Sequence, residues 1–298
     1  MKESILLQLA QLFRTLPNFR GKYSMGIYAE KMLIDKYQQP IQKVKLKNGL
    51  TFELDLNSST HKAPFWTGEY DTSLIQKFCQ IFQSDWVVFD VGANIGYYAI
   101  PFSKYCDQVY CFEPGKSNFV TLSKNIKLNQ CQNVEALNFG LGATAQVLQL
   151  AFTGQGSTGN AVLLEDNYPK HKYNQVEEVV IKTFDDYFED QGLKSCDFMK
   201  IDIEGHEVEF FKGAERVVRE YRPILYAEFN SFFLKKKGQS VLETWEFLSE
   251  LGYEVYLQDM RGRKRLPQFS KVTLKDGMSD ILFVPTDKRD LVNHLITA

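Results

Sequence analysis

The sequence predicts an α/β fold of the Rossmann-like, doubly wound type, in which a mostly parallel sheet has helices on both faces. From residue 86 onward, short runs rich in β-forming residues alternate with longer runs of helical periodicity, an order typical of parallel sheets with helical crossovers. The run WVVFDV at 86–91 is apolar almost throughout, as expected of a strand that is buried on both faces.

The strands and helices can be placed from their apolar patterns. Strands are predicted at 86–91, 108–113, 133–137, 146–152, 197–203, 223–229, 253–258 and 280–285, and helices at 97–105, 116–129, 184–190, 207–221 and 240–252. Pro101 is unfavourable beyond the first turn of a helix, so the first helix is expected to start late or to bend there. Thr183 and Asp186 have the spacing of a capping pair, which places a helix start at residue 184.

The first 64 residues are predicted to form an extension, made of an amphipathic helix and a β-hairpin, ahead of a domain at 65–298. Residues 41–56 alternate around Asn48 and Gly49, a pair favoured in tight hairpin turns. Near the start of the chain, apolar side chains recur at helical spacing and form one stripe: Ile5, Leu6, Leu9, Leu12, Phe13 and Leu16. We expect this stripe to dock on the chain's own domain; pairing of two copies into a homo-oligomer and attachment to a membrane surface are the alternatives.

Composition and charge narrow the classes of partner. The 298 residues carry a formal net charge of −2, so no overall basic field is present to hold nucleic acid, and a small molecule is the expected partner. No apolar run is long enough to cross a bilayer, so no transmembrane segment is predicted. The five cysteines form no C-x-x-C pair, as is common in a reducing compartment, and a cytoplasmic location is predicted.

The segment VFDVGANIG at 88–96 has the form of a ligand-binding strand and turn. Its turn places backbone N–H groups where doubly wound sheets bind ligands. Glu113 ends the next strand 21 positions after Gly92, where a carboxylate can accept hydrogen bonds from both hydroxyls of an adenosine ribose. Asn94 stands where a dinucleotide-binding loop has a glycine, and asparagine tolerates the left-handed backbone that such a glycine adopts.

Asp90 and Asn94 favour S-adenosylmethionine over a nicotinamide dinucleotide at this turn. A pyrophosphate near the Asp90 carboxylate would be unfavourable, whereas S-adenosylmethionine has no phosphate. Its cationic groups suit Asp90, and its carboxylate suits the turn N–H groups and the Asn94 amide. A nicotinamide-dependent oxidoreductase is the alternative. The predicted cofactor-binding residues are Asp90, Gly92, Ala93, Asn94, Gly96, Glu113, Pro114 and Asp202.

Three segments together resemble the FkbM family of S-adenosylmethionine-dependent methyltransferases: VVFDVGANIGYYAI, VYCFEPGKSNFVTLSKNIKLN and FMKIDIEGHEVEFFKGA. The resemblance covers roughly residues 66–230 and implies a class I methyltransferase fold, whose seven-stranded sheet has an antiparallel last strand. It also implies methyl transfer, typically to a hydroxyl of a sugar, a polyketide or a similar small molecule. FWTGEYD at 65–71 resembles the segment that helps to close the family's cofactor pocket, although the family often has Glu where Asp71 stands.

The acceptor is predicted to meet the end of the strand FMKIDI, where Asp202, Glu204 and His206 follow a buried run. A hydroxyl acceptor needs a base, and His206 is favoured because histidine titrates near neutral pH. His61 is a second candidate for the base. Asp202 and Glu204 would orient the acceptor or offset the sulfonium charge. Salt bridging or helix capping would explain the same acids without a catalytic role.

Two further features leave alternatives open. Glu228 and Asn230 follow the next strand and, with Asp202 or Glu204, offer oxygen ligands for Mg²⁺, which is considered but not assumed. The glycine-rich segment TGQGSTGN at 153–160 is predicted to be a lid over the site. The favoured function is an O-methyltransferase acting on a hydroxyl of a saccharide, a glycoconjugate or a natural product. Transfer to nitrogen and a non-catalytic cofactor-binding module are the alternatives.

Overall fold

The computed structural model describes residues 2–153, 160–164, 175–261 and 266–297. The strands of its main sheet are β3 (Val87–Val91), β4 (Gln108–Phe112), β5 (Val134–Leu137), β10 (Phe198–Ile201), β11 (Ile224–Glu228), β12 (Tyr253–Arg261), β13 (Leu266–Lys271), β14 (Asp280–Pro285) and β15 (Ile296–Thr297). They lie in the order β15-β13-β12-β14-β11-β10-β3-β4-β5. Neighbours from β5 to β11 pair in parallel, and β14 is antiparallel to both β11 and β12.

This order confirms the class I prediction, including the antiparallel strand, but the sheet has nine described strands rather than seven. The two additional strands arise because the chain after β12 turns back and pairs with it as β13, and β15 then pairs with β13. The strand order reverses between β3 and its two neighbours, β4 and β10. The carboxyl ends of these three strands therefore surround the switch point at which such sheets bind ligands.

The helices are α1 (Lys2–Thr15), α2 (Lys22–Leu33), α3 (Ser59–Thr67), α4 (Thr72–Cys79), α5 (Ala99–Phe102), α6 (Lys116–Leu128), α7 (Phe184–Asp190), α8 (Glu207–Gly213), α9 (Glu215–Tyr221), α10 (Ser231–Lys236) and α11 (Val241–Glu250), with a 3-10 helix at Thr286–Val292. No described helix combines the length and the apolarity that a membrane crossing requires. Both faces of the sheet are buried, since Val88 joins one apolar cluster and the next residue, Phe89, joins another.

Two helices differ from their predictions. α5 starts only at Ala99 and has four residues, so the helix around Pro101 begins late, as expected. The single helix predicted at 207–221 is instead two helices that meet at Ala214. A Cβ on Gly213 would lie 2.0 Å from the carbonyl oxygen of Gly142. The helix is thus interrupted next to the point where another backbone segment passes directly against it. The predicted cap of α7 is present, because the Thr183 side chain accepts the Asp186 N–H.

A second sheet follows β5 and contains β6 (Gly140–Leu141), β7 (Gln146–Thr153), β8 (Asn160–Leu164) and β9 (Gln175–Lys182), in the order β6-β9-β7-β8. The strand predicted at 146–152 is β7, whereas β8 and β9 were not predicted. Most of the predicted lid segment, at 154–159, lies outside the described residues.

The predicted hairpin is present as β1 (Ile41–Lys45) and β2 (Thr51–Asp55), which pair antiparallel across the turn. In the predicted helix α1, Leu6 and Ala10 are buried against the main body, whereas Ile5 and Leu12 are exposed. α2 was not predicted. α3 runs across the predicted boundary at residue 64, and one apolar cluster combines residues from both sides of it, so the boundary stays a prediction.

Candidate cofactor and active site

An open cavity lies at the switch point of the main sheet, at the carboxyl ends of β3, β4 and β10. It encloses about 870 Å³ including its mouth. Seven of the predicted site residues line it: Gly92, Ala93, Asn94, Glu113, Pro114, Asp202 and Glu204. Asp90, Gly96 and His206 are not among its lining residues.

The turn after β3 has the backbone that the sequence suggested. Asn94 adopts φ +51°, the left-handed conformation expected for this position. Gly92 has φ +81°, and a Cβ there would lie 1.9 Å from the carbonyl oxygen of Asp202. Gly96 has φ +94°, and a Cβ there would press on Leu122 of α6. Gly92 is therefore required where two strand ends touch, and Gly96 where the turn packs on a helix.

Glu113 fastens the turn to the end of β4. Its two carboxylate oxygens accept the backbone N–H groups of Asn94 and Gly115, each at 2.9 Å. Burial raises the pKa of Glu113 to about 7, although these hydrogen bonds oppose the shift. Asn118 Nδ2 also donates to Oε1 at 3.4 Å, so of the about four acceptor positions of a carboxylate Glu113 keeps one for a hydroxyl group from the cavity.

Beside Glu113, the cavity wall has unused hydrogen-bonding atoms. Asn118 is buried, and its Oδ1 has no hydrogen-bond partner among the described residues; the same holds for the Tyr97 hydroxyl. Leu150 and Leu163, from the second sheet, supply an apolar wall of the same cavity. The position of Asn118 was not recognised from the sequence, because an asparagine in a helix gives no signal of the direction in which it points.

A buried lysine links the turn after β3 to the acids at the end of β10. Lys200 is in register with Asp90 on the neighbouring parallel strand, and its Nζ lies 3.6 Å from Asp90 Oδ1, 3.2 Å from Asp202 Oδ2 and 3.3 Å from the Gly92 carbonyl oxygen. Burial lowers the pKa of Lys200, but the Asp202 and Asp90 carboxylates outweigh burial and raise the pKa above its usual value. The lysine therefore stays charged.

Asp90 lies deeper in the protein than the sequence predicted. Its side chain is fully buried beneath the cavity, where Oδ2 accepts the Ala99 N–H at 3.2 Å, so it does not form part of the cavity wall. A charged residue within the otherwise apolar run FMKI was the available sequence signal for Lys200, since buried lysines need a partner.

Several acids lie near one another at the carboxyl ends of β10 and β11. Glu204 accepts the Asn230 amide at 2.8 Å, and burial together with the Asp202 charge raises its pKa. The exposed Glu228, at the end of β11, has its pKa raised to about 8 by partial desolvation and by the Asp202 and Asp280 carboxylates. Within the described residues, no group of three or more His, Cys, Asp or Glu side chains is arranged to hold a metal ion. The Mg²⁺ alternative therefore gains no support from this geometry.

Asp71, at the start of α4, adds a further carboxylate to this region. Its Oδ2 accepts the Tyr98 hydroxyl at 2.9 Å, and burial raises its pKa. Tyr98 lines the cavity together with Tyr70, which stacks on Tyr97 with 3.9 Å between ring centroids. The sequence alone singled out Asp71 only as a departure from the family pattern.

His206 lies apart from the two acids with which it was grouped. Its Nδ1 is 3.0 Å from Lys237 Nζ, and its Nε2 lies next to Gly142, where a Cβ would be 3.0 Å away. Burial and the positive charge of Lys237 lower the pKa of His206 to about 4. The structure therefore brings Asp202 and Glu204 together in the cavity wall but leaves His206 outside it.

His61, the second histidine candidate, lies next to the turn after β3. Its Nδ1 accepts the Asp55 N–H at 3.0 Å, so the neutral ring carries its proton on Nε2. Burial lowers the pKa of His61 to about 4, and the nearby Asn94 side chain opposes that shift. Neither His61 Nε2 nor Asn94 Oδ1 completes a regular hydrogen bond among the described residues. His61 therefore lies beside the Asn94 side chain and has a donor on Nε2 that no described residue accepts.

Comparison with known proteins identifies the family of this chain. Residues 90–255 match the model of the methyltransferase FkbM domain. Methyltransferase 1 of Beauveria bassiana is 28% identical over 150 residues, covering 45% of this chain and 60% of the relative. Hexuronic acid methyltransferase AglP of Haloferax volcanii is 29% identical over 148 residues, covering 49% of this chain and 56% of the relative.

The chain thus spans less than two thirds of the length of these curated relatives. Among solved structures, a methyltransferase FkbM from Methylobacillus flagellatus is similar, with a TM-score of 0.43, 19% identity and coverage of 67% of this chain and 43% of that one. Because the family model covers more than half of the sequence and includes β3, β4 and β10 with the turn and acids at their ends, the chain belongs to the FkbM methyltransferase family.

Proposed function

We propose that the protein is an S-adenosylmethionine-dependent O-methyltransferase that acts on a hydroxyl of a small molecule, most favourably a saccharide or a glycoconjugate. The observation that carries this proposal is the single cavity wall formed by the Asn94 turn, by Glu113 and by the acids Asp202 and Glu204. Membership of the FkbM family supports the methyl transfer, and the hexuronic acid methyltransferase among the relatives supports a saccharide acceptor.

The residues of the cavity fit the cofactor part by part. Glu113 keeps an acceptor position for a ribose hydroxyl, and the apolar wall at Leu150 suits a purine ring. The unpartnered Asn118 Oδ1 is an acceptor for an exocyclic amine. The Asn94 side-chain amide suits the cofactor's carboxylate, whereas the backbone N–H groups of Gly92, Ala93, Asn94 and Gly96 already donate within the protein. Three of the charged wall residues, Glu113, Asp202 and Glu204, are acids, which disfavours a dinucleotide pyrophosphate.

When bound, the cofactor would supply an electrophilic methyl group on a sulfonium. The protein's own residues must then position a hydroxyl in line with that methyl and take up the hydroxyl proton. Asp202 is ion-paired with Lys200, whereas Glu204 Oε2 accepts only a neutral amide. We therefore assign the proton to Glu204, whose raised pKa favours uptake, and orientation of the acceptor to Asp202. His206, outside the cavity wall, would support the loop that carries Glu204.

The experiment that tests this proposal measures binding and turnover separately. S-adenosylhomocysteine is expected to raise the Tm of the protein by several degrees when added well above its Kd, and NADH is not. Incubation with S-adenosylmethionine and a panel of saccharides should release S-adenosylhomocysteine with at least one acceptor. Stabilisation by NADH alone would contradict the cofactor assignment. Binding of S-adenosylhomocysteine without turnover on a broad panel would favour the non-catalytic module, and methylation of amines alone would favour transfer to nitrogen.

A further inference from the structure

Helix α2 buries two charged side chains and exposes large apolar ones. Its buried positions are Lys22, Gly26 and Glu30, which recur every four residues. On its outer side, Met25, Tyr28 and Met32 are 52, 67 and 66% exposed. The spacing of three and four residues places these three side chains on one face. Ile27, Ala29 and Leu33 pack partly buried against the core, so the three outward side chains form a second apolar face that the fold leaves uncovered.

The contacts of the inner face fix this orientation. A Cβ on Gly26 would lie 2.3 Å from Trp66 of α3, so only glycine allows the helix to pack this closely. Lys22 Nζ donates to the Leu16 carbonyl oxygen at 2.8 Å, and Glu30 accepts Lys62 Nζ at 2.5 Å. Turning the helix over would leave both charges without these partners. The apolar face therefore points outward for a specific structural reason.

The exposed face continues onto the neighbouring residues. Phe19 and Tyr23 precede and begin α2, and Leu12 of α1 is also exposed. Half of the large apolar side chains that are exposed among the described residues belong to the first 32 positions. Single exposed apolar residues are normal, but a concentration of this kind marks a surface that another body covers.

The charges around this face indicate what covers it. Residues 1–36 contain six Lys or Arg and three Asp or Glu, whereas the whole chain contains 35 and 37, so the remainder of the chain is acidic. Four of these cations are exposed: Lys2, Arg20, Lys31 and Lys36. Of the three acids, Asp35 is exposed, Glu30 is buried, and Glu3 accepts the N–H groups of Gln38 and Gln39.

We propose that the outer face of α1 and α2 binds an anionic membrane surface, with Met25, Tyr28 and Met32 at the boundary of the acyl chains and the cations among the head groups. Aromatic and apolar side chains flanked by lysine and arginine are the composition of helices that lie in a bilayer interface.

Sedimentation of the full chain with lipid vesicles tests this proposal. Wild-type protein should sediment with vesicles that contain phosphatidylserine, remain in solution with phosphatidylcholine alone, and be released by salt. The double variant Tyr28→Ser/Met32→Ser should lower the partition coefficient at least roughly tenfold, because both side chains leave the apolar layer. The matched control is Tyr105→Ser/Val120→Ser, which removes two exposed apolar side chains elsewhere and should bind as the wild type does.

Three outcomes would overturn the proposal. The first is no sedimentation of the wild type with anionic vesicles, and the second is equal binding to neutral vesicles. The third is a dimer in analytical ultracentrifugation without lipid that Tyr28→Ser/Met32→Ser dissociates and the control variant does not, which would assign the face to a second copy of the chain. None of these measurements depends on methyl transfer, so the proposed function and the membrane proposal fail independently.

Discussion

Replacing Asn94 by glycine separates the two halves of the proposed cofactor site. Glycine adopts φ +51° without strain, and the backbone N–H at this position, which donates to Glu113 at 2.9 Å, is retained. Only the side-chain amide is lost. We expect the free energy of unfolding to change by less than about 1 kcal/mol, since glycine mainly adds backbone entropy to the unfolded chain.

The expected loss of affinity follows from the one hydrogen bond that disappears. A hydrogen bond with one charged partner contributes about 1.5–3 kcal/mol, so Asn94→Gly should weaken S-adenosylhomocysteine binding roughly 10- to 150-fold. 5′-Methylthioadenosine has the same nucleoside but lacks the amino-acid group that meets Asn94. Its Kd should therefore stay unchanged in the variant. Isothermal titration calorimetry with both ligands measures the two values.

Glu113→Gln is the matched control for this experiment, because the ribose is common to both ligands and both should bind more weakly. His61→Ala should reproduce the selective loss of S-adenosylhomocysteine binding and add nothing in the Asn94→Gly background, since His61 acts through Asn94. Equal weakening of both ligands in Asn94→Gly, or unchanged binding of S-adenosylhomocysteine, would refute the assignment of the amide.

Three further changes test other parts of the site. Burial raises the pKa of Glu113 from 4.5 to about 7. Between these two pH values the folded protein keeps the Glu113 proton, whereas the unfolded chain has released it. The free energy of unfolding should therefore fall as the pH rises from 4.5 to about 7. Thermal melts of Glu113→Gln should lack this decrease of stability with pH, and a pH profile identical to that of the wild type would disprove the assignment to Glu113. Lys200→Met leaves the Asp90 charge buried without a partner and should lower the free energy of unfolding in urea by about 3–5 kcal/mol. The double variant Lys200→Met/Asp90→Asn should regain most of this loss. No recovery would show that the loss of the ion pair is not the cause. Glu204→Gln should lower kcat about 10²- to 10⁴-fold without weakening S-adenosylhomocysteine binding, and His206→Asn should lower it far less. The reverse ranking would return the base to the histidine.

The parts of the site that depend on local sequence were predictable. The left-handed turn at Asn94 and the position of Glu113 at a strand end follow from residue types and spacing, and the structure has both. His206 could not be placed in this way. Glu204 and Gly205 have φ values of +52° and +93°, and these two successive left-handed residues turn the chain so that Glu204 faces the cavity and His206 does not. Spacing along a loop carries no information about such a turn.

Contacts between distant parts of the chain determine the other elements that the sequence did not predict. α2 has no apolar stripe that predicts its buried face, because Gly26 faces Trp66 and the charges beside it find partners in other elements. Likewise, β13 and β15 complete the edge of the sheet through pairing with distant residues, which a single run of sequence does not specify.

The close approach of Gly92 to the Asp202 carbonyl oxygen has a consequence for engineering this protein. A side chain on Gly92 would overlap that oxygen, so the two strand ends leave no free space between them and cannot be shifted separately. Mutations intended to alter the proposed acceptor site therefore belong outside this contact and outside the hydrogen bond from Asn230 to Glu204, which holds the proposed base. A change at Gly92 or in the backbone at Asp202 would instead move the proposed cofactor residues and the proposed acceptor residues together.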